Sequence, residues 1–372
     1  MSNRIATSST RINIGLDPGF GALKAACVGQ EGALVATVPS VVGVGDSDLG
    51  LLSVGNIGVR KRTRQPDRVS FDAGGVRTYL VGENVARCAR PVERMDFLRL
   101  SDGPELRALF YDVIFRLLGG EKRRIDSSTL LPMKLMVGLP VEVMARREQA
   151  LSTLRSLREW MVGEHQFTVD GSEVKLDIKS VHVMAQPAGS FFAWGLNDEG
   201  QWIRSKGDLE APVAICDIGF NTLDLVAFAG GEVIGRFTAG DTVGIRRAAE
   251  MVIHAVRSDY GVSLSLHGAD ALLRDKQPRL YTAQGEKDLR APVRQALDTA
   301  AAAVLTFVER QWGGGQQFAH LLFTGGGAEA LRDDLLRHYP QGVVLPDPVM
   351  ANALGLARYA VRVFEGRKDA DR

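Results

Sequence analysis

LDPGFGALKAACVGQEGALV, running from Leu16 to Val35, and CDIGFNTLDLVAFAGGEVIG, running from Cys216 to Gly235, are one phrase written twice. Aligned, Asp17 falls on Asp217, Gly19 on Gly219, Phe20 on Phe220 and Leu23 on Leu223. Each copy reads as strand, glycine turn, strand, second turn, strand. The leading strands, Ile12 to Leu16 and Val213 to Cys216, are short apolar runs rich in β-branched residues, which suits strands covered on both faces. The second turns, GQEG and AGGE, hold the glycine that a tight hairpin needs for positive φ. A hairpin with an aspartate at the end of its first strand, used twice, points to an internal duplication.

The chain of 372 residues exceeds one ordinary domain and can bury two cores. With 45% hydrophobic residues, 24% charged residues and a net charge of +1, it has a globular composition and no overall basic field to hold nucleic acid directly. No run of eighteen apolar residues occurs, and the opening MSNRIATSSTR lacks an apolar signal core, so a cytoplasmic protein without a membrane partner is predicted. Cys27, Cys88 and Cys216 have no CxxC spacing, and the histidines form no HxxH or HExxH pair. Neither a disulfide framework nor a zinc site is therefore predicted.

Strands and helices alternate after the first hairpin. Residues 43 to 75 read as an irregular, Gly-rich and basic insert, followed by a strand at Thr78 to Val81. Leu106, Leu109, Phe110, Val113, Ile114 and Leu117 keep helical spacing from Pro104 to Leu118, with Asp102 and Pro104 as the start signal. KLMVGLP (Lys134 to Pro140) is a buried strand, and Val141 to Met161 reads as one arginine-studded helix. SVHVMAQPAGSFFAW gives a strand, then Gln186 and Pro187, then a short helix starting at the proline. Polar sequence from Asn197 to Glu210 is the crossing between halves. The second half follows with its hairpin, a loop at TAGDTVG, helices at Ile245 to Tyr260 and Ala291 to Trp312, strand HLLFT, a glycine triplet leading into a helix, a strand at Val343 to Leu345 and a closing helix from Val349 to Phe364. The predicted division is 1–196, 197–348, and a segment 349–372 whose helix packs back on the first domain.

Three glycine loops, at Gly19, Gly219 and Gly325, stand at strand ends, where α/β sheets bind ligands through free backbone N–H groups. Glycine lets the backbone close on phosphate oxygens without a Cβ in the way. Two facing carboxylates repel a polyphosphate unless Mg²⁺ lies between them. Lys24, seven residues after Asp17, adds a compact positive charge. These features assemble a nucleotide site between two domains.

DPGFGALK resembles the first phosphate loop of the actin-like ATPase superfamily, DIGFNTLD resembles the second, whose pattern is D-x-G-x-x-T-x-D, and LLFTGGGAEAL resembles the adenosine loop. With VGLP, AQPAGS and NALGLARYA, the resemblance runs from about residue 12 to 363. Within the superfamily the chain is most similar to ParM-type plasmid-segregation actins and their archaeal relatives. The resemblance implies an actin-like, ribonuclease H-like duplicated α/β fold with ATP or GTP and Mg²⁺ in the cleft. It implies Asp17 and Asp217 as metal-linked carboxylates, Asp17 through a bound water. It gives Asp217 and Gln186 the attacking water, and Lys24 the β- or γ-phosphate. It further implies nucleotide contacts from Gly19, Phe20, Gly21, Gly219, Phe220, Asn221, Thr222, Gly325, Gly326 and Gly327, and from Asp241, Arg246 and Glu250 around the helix after GDTVG. Two departures are Pro18, which removes an N–H from the first loop, and Phe220-Asn221 in place of small residues in the second.

RKRTRQPDR (Arg60 to Arg68) has five basic residues and one acid, with no aromatics between them. It reads as a solvated loop, a nucleic-acid contact or, by the resemblance, a contact to the next subunit. The function so implied is an NTP hydrolase that polymerises in a nucleotide-dependent way and moves plasmid or other DNA through a DNA-binding adaptor. The alternatives within the superfamily are a sugar-kinase-like phosphotransferase and an adaptor ATPase.

Overall fold

The computed structural model describes residues 12–29, 32–44, 65–89, 91–92, 103–120, 130–242 and 244–365. Most of the basic run at 60–68, and Asp102, lie outside them. The strands of the first half are β1 (Ile12–Pro18), β2 (Ala22–Gly29), β3 (Gly32–Pro39), β4 (Val42–Val44), β5 (Asp67–Asp72), β6 (Val76–Val81), β7 (Pro91–Val92), β8 (Leu131–Leu139), β9 (Gly163–Val169) and β10 (Ser172–Ala185). They form one sheet in the order β3-β2-β1-β8-β10-β9-β5-β6-β4-β7. The second half carries β11 (Val213–Ile218), β12 (Leu223–Ala229), β13 (Glu232–Val233) and β14 (Ala239–Asp241), a separate hairpin of β15 (Arg279–Thr282) and β16 (Gly285–Asp288), then β17 (His320–Thr324) and β18 (Gly342–Val344). Its main sheet runs β13-β12-β11-β17-β18, with β14 also on β12.

The duplication is visible in the pairing. In the first sheet β1 pairs antiparallel with β2 and parallel with β8, and β8 pairs parallel with β10. In the second, β11 pairs antiparallel with β12 and parallel with β17, and β17 pairs parallel with β18. The register repeats as well: Asp17 lies opposite Lys24, and Asp217 opposite Asp224. Both turns close with the same backbone bond, Gly19 N–H to the Ala22 carbonyl and Gly219 N–H to the Thr222 carbonyl.

Two helices tie the halves together. The helix Gln186–Gly195 follows β10, yet its Phe191 and Trp194 pack with Val213, Ile215, Val226 and Phe228 of the second sheet. The closing helix, Ala351–Glu365, follows β18 and lies on β1, β2 and β8 of the first. The two cross with almost no side chain between them. A Cβ at Gly355 would fall 1.8 Å from the Gly189 carbonyl oxygen, so only glycine permits this approach.

Several predicted boundaries need correction. Val141 to Met161 is not one helix: it breaks at Arg146, which is extended at φ −105° and ψ 104°, leaving Val141–Ala145 and Arg147–Met161. The break lets Val141 join the core between the sheets while Leu157, Trp160 and Met161 bury in the first core, which one straight helix could not reach. The insert 43–75 is not wholly irregular, because Asp67–Asp72 is β5: Val69 and Phe71 alternate inward, and Phe71 stacks on Tyr79 at 5.2 Å. The loop TAGDTVG contains β14, and the helix after β10 begins at Gln186, with Ala185 as its cap. The helix Pro104–Leu117 packs on the first sheet and carries a buried charge cluster, Arg116 lying 2.9 Å from Asp112 and 2.7 Å from Asp67. Burial raises the Asp112 carboxyl to about 8, against the pull of Arg116. Among the described residues, no helix is long and apolar enough to cross a membrane.

Candidate functional site

The two hairpin turns and the glycine triplet converge on a cleft of about 700 Å³ between the sheets. Asp17, Gly19, Phe20, Gly21 and Lys24 line it from the first hairpin, Asp217, Gly219, Phe220, Asn221 and Thr222 from the second, and Gly325 and Gly326 from the triplet. Gln186 closes its floor. The turn tips nearly touch, since a Cβ on Gly21 would meet Phe220 Cβ at 3.2 Å. Gly325, at φ +86°, leaves the same lack of room: a Cβ there would lie 2.5 Å from Asp217 Oδ1.

Both aspartates stand near the ends of strands buried on both faces, and the two residues are held at 2% and 7% exposure. Asp17 is fully partnered: Lys24 Nζ donates to Oδ2 at 3.0 Å and Gln186 Nε2 to Oδ1 at 2.7 Å. Asp217 accepts from Asn352 Nδ2 at 2.6 Å through Oδ2. Burial, together with the charge of Asp17, raises Asp217 to about 6, opposed by the Asn352 bond and by Lys24. Burial alone would lower Lys24, but Asp17 and Asp217 outweigh it and hold the ammonium above its ordinary value. Asp224, opposite Asp217 in register, rises to about 7 through burial and the Asp217 charge, moderated by Thr222 and by the Val141 N–H. The result is a site rich in carboxylate, with one buried ammonium and backbone N–H groups at glycine turns. Such a site takes a polyanion together with a cation.

Four residues expected at the site do not line it. Asp241 lies in β14, and its carboxylate accepts from the Thr242 N–H. Arg246 and Glu250 pair with each other at 2.8 Å, one helical turn apart on an exposed face, although Arg246 also reaches Asn221 Oδ1 at 3.3 Å. Gly327 packs against Ile218 and Ile245, beneath the loop. Residues not anticipated include Asn352, Arg274 and His267. Arg274 donates to the Gly326 carbonyl at 3.3 Å from the helix Leu266–Arg274, whose Ser265 cap was a usable start signal. Phe220 packs partly buried against the core of the second half, and its ring runs parallel to His267 at 6.5 Å between centroids.

The family described as the N-terminal domain of actin-like proteins matches residues 15–189, and that of archaeal MreB-like actin homologues, C-terminal, matches residues 215–337. The chain belongs to the actin-like proteins. No curated protein matches it by sequence. Among solved structures, this actin-like chain is similar to a ParM filament from Clostridium botulinum at 19% identity and TM-score 0.70, over 94% of this chain and 99% of that one. An archaeal actin homologue in complex with ADP aligns at 16% identity and TM-score 0.68, again over 94% and 99%. The actin-like protein Alp7A aligns at 15% identity and TM-score 0.69, over 97% and 99%. At these identities the likeness establishes a shared actin-like α/β fold.

Proposed function

We propose that this actin-like chain binds ATP or GTP with Mg²⁺ in the cleft, hydrolyses it, and polymerises head to tail in a nucleotide-dependent way. The observation that carries the reading is the pair of buried carboxylates, Asp17 and Asp217, delivered to one cleft by two equivalent glycine hairpins. Among the described residues no group of three or more His, Cys, Asp or Glu side chains gathers as a metal cage. That donor set fits Mg²⁺, which is held through one or two carboxylates with phosphate oxygens and water. When bound, Mg²⁺ would neutralise the charge between β- and γ-phosphate oxygens.

In this reading Lys24 faces the phosphates, the turn residues Gly21, Phe220 and Asn221 present backbone N–H groups, those of Gly19 and Gly219 being committed to closing their turns, and Thr222 adds a hydroxyl. Asp217 accepts the proton of the attacking water. Gln186 orients that water while holding Asp17. The buried environment that raises Asp217 toward neutral pH suits a proton acceptor. The filament and ADP-bound relatives support assembly and nucleotide binding by analogy of fold. A repeated contact that does not close on itself produces a helical filament. The biological role proposed is segregation of plasmid or other DNA in the cytoplasm through a DNA-binding adaptor.

Right-angle light scattering of purified protein, with and without Mg²⁺-ATP or Mg²⁺-GTP, tests this. A rise that decays as phosphate is released, and that persists in Asp217→Ala, is expected. A flat trace well above micromolar protein, with nucleotide bound, refutes the filament and turns attention to small-molecule phosphoryl acceptors.

A further inference from the structure

The two carboxylates of the cleft are joined behind it by one buried path. Gln186 and Ser190 lie one turn apart on the same helix. Gln186 holds Asp17 Oδ1 at 2.7 Å. Ser190 Oγ lies 2.6 Å from Asn352 Oδ1, and Asn352 Nδ2 donates to Asp217 Oδ2 at 2.6 Å. Ser190 Oγ is also 2.9 Å from Thr324 Oγ1, which lies 3.1 Å from the Pro348 carbonyl; with the Ser190 proton given to Asn352, the single Thr324 proton serves one of these two contacts. Ser190 and Thr324 are fully buried and Asn352 is 5% exposed, so Ser190 and Thr324 have no access to bulk water to replace a lost partner.

An amide presents a donor at one end and an acceptor at the other, and which end faces a carboxylate decides whether it attracts or repels. Ser190 donates to Oδ1 of Asn352, which turns the amide N–H toward Asp217. With Oδ2 anchored in this way, Asp217 Oδ1 is left against the glycine triplet, where even a Cβ on Gly325 would not fit. The glycine crossing of the two helices fixes the distance over which Ser190 and Asn352 meet. We propose that Asn352, oriented by Ser190, is a positioning residue for Asp217, and that the helix Gln186–Gly195 acts through it as a ruler setting Asp217 relative to Asp17. A shift of either helix breaks the path and leaves Ser190 with Thr324 alone, which makes the aim of Asp217 dependent on the closure of the two halves.

This inference rests on the nucleotide-hydrolysis reading, and its test keeps the two apart. For the full-length wild type, Asn352→Ala and Ser190→Ala, Mg²⁺-ATP affinity is measured by calorimetry and kcat by phosphate release, at a temperature where each is folded by circular dichroism. Asn352→Ala is expected to lower kcat roughly tenfold to a hundredfold and Ser190→Ala less, with affinity within about threefold of wild type. A merely structural role would not split kcat from affinity in this way. Wild-type kcat in both folded variants overturns the inference, as does a loss of affinity with kcat unchanged. A wild type that neither binds nor hydrolyses the nucleotide overturns the functional reading and the inference with it. Should Asn352→Ala fail to fold, Ser190→Ala, which keeps the amide, decides by the same split.

Discussion

Gly355→Ala gives the sharpest test of how the two halves are joined. The added Cβ would lie 1.8 Å from the Gly189 carbonyl oxygen and 2.5 Å from the Ala193 nitrogen, both backbone atoms of a packed helix that cannot rotate away. Restoring ordinary contact requires the helices to part by about 1.5 Å. The Ser190–Asn352 and Asn352–Asp217 bonds, each 2.6 Å, cannot span that added distance. Overpacking costs about 1–3 kcal/mol, and the stranded polar groups add about 1–3 kcal/mol. Alanine's better helix propensity returns about 1 kcal/mol. The net loss is about 1–5 kcal/mol, or roughly 2–10 °C in melting temperature at about 2 °C per kcal/mol. Thermal unfolding by circular dichroism measures it, with Gly29→Ala as the control, since nothing lies within 4 Å of a Cβ there. A Gly355→Ala protein that melts within about 1 °C of wild type would refute the close-crossing argument.

Other outcomes follow from the site and from the buried charges. Gln186→Ala should lower single-turnover phosphate release roughly tenfold to a hundredfold while nucleotide still binds, because Asp17 keeps Lys24; equal rates would remove Gln186 from the reaction. Chelating Mg²⁺ with EDTA should abolish phosphate release, which excess Mg²⁺ restores; metal-independent turnover would contradict the reading. Asp112, raised by burial to about 8 from 3.8, binds its proton more tightly folded than unfolded. Its contribution to stability is therefore full below about pH 4 and is lost as pH rises toward about 8. Urea unfolding of Asp112→Asn at pH 5 and pH 8 should show a smaller decline than wild type, and parallel declines would contradict the burial argument.

The hairpins were legible because everything that defines them is local. The strand, the aspartate, the glycine turn and the returning leucine fall within twelve residues, and turn geometry leaves few alternatives. Asn352 carries no such signal. Its partner Asp217 is 135 positions away and Ser190 is 162, so an Asn at the start of a helix reads only as a cap until the fold joins them. Asp241, Arg246 and Glu250 show the opposite failure. They are polar residues near a glycine loop, but an arginine and a glutamate four apart on a helix satisfy each other at the surface. The β9–β10 hairpin did have a local mark, the Asp170-Gly171 pair, both at positive φ, between alternating strands. Segmentation by apolar runs passes over it because these strands alternate polar residues with apolar ones.

The closing helix has a temporal consequence as well. Its seat is the face of β1, β2 and β8, so the earliest of the described strands is covered by the latest of the described helices. At bacterial-type elongation rates, the interval between Gly15 and Gly355 emerging is roughly 20–70 s. Throughout it, Ala26 and Met136 have no roof. The nascent first half waits with that face uncovered, and the Asn352–Asp217 bond in the cleft can form only once the closing helix has been made.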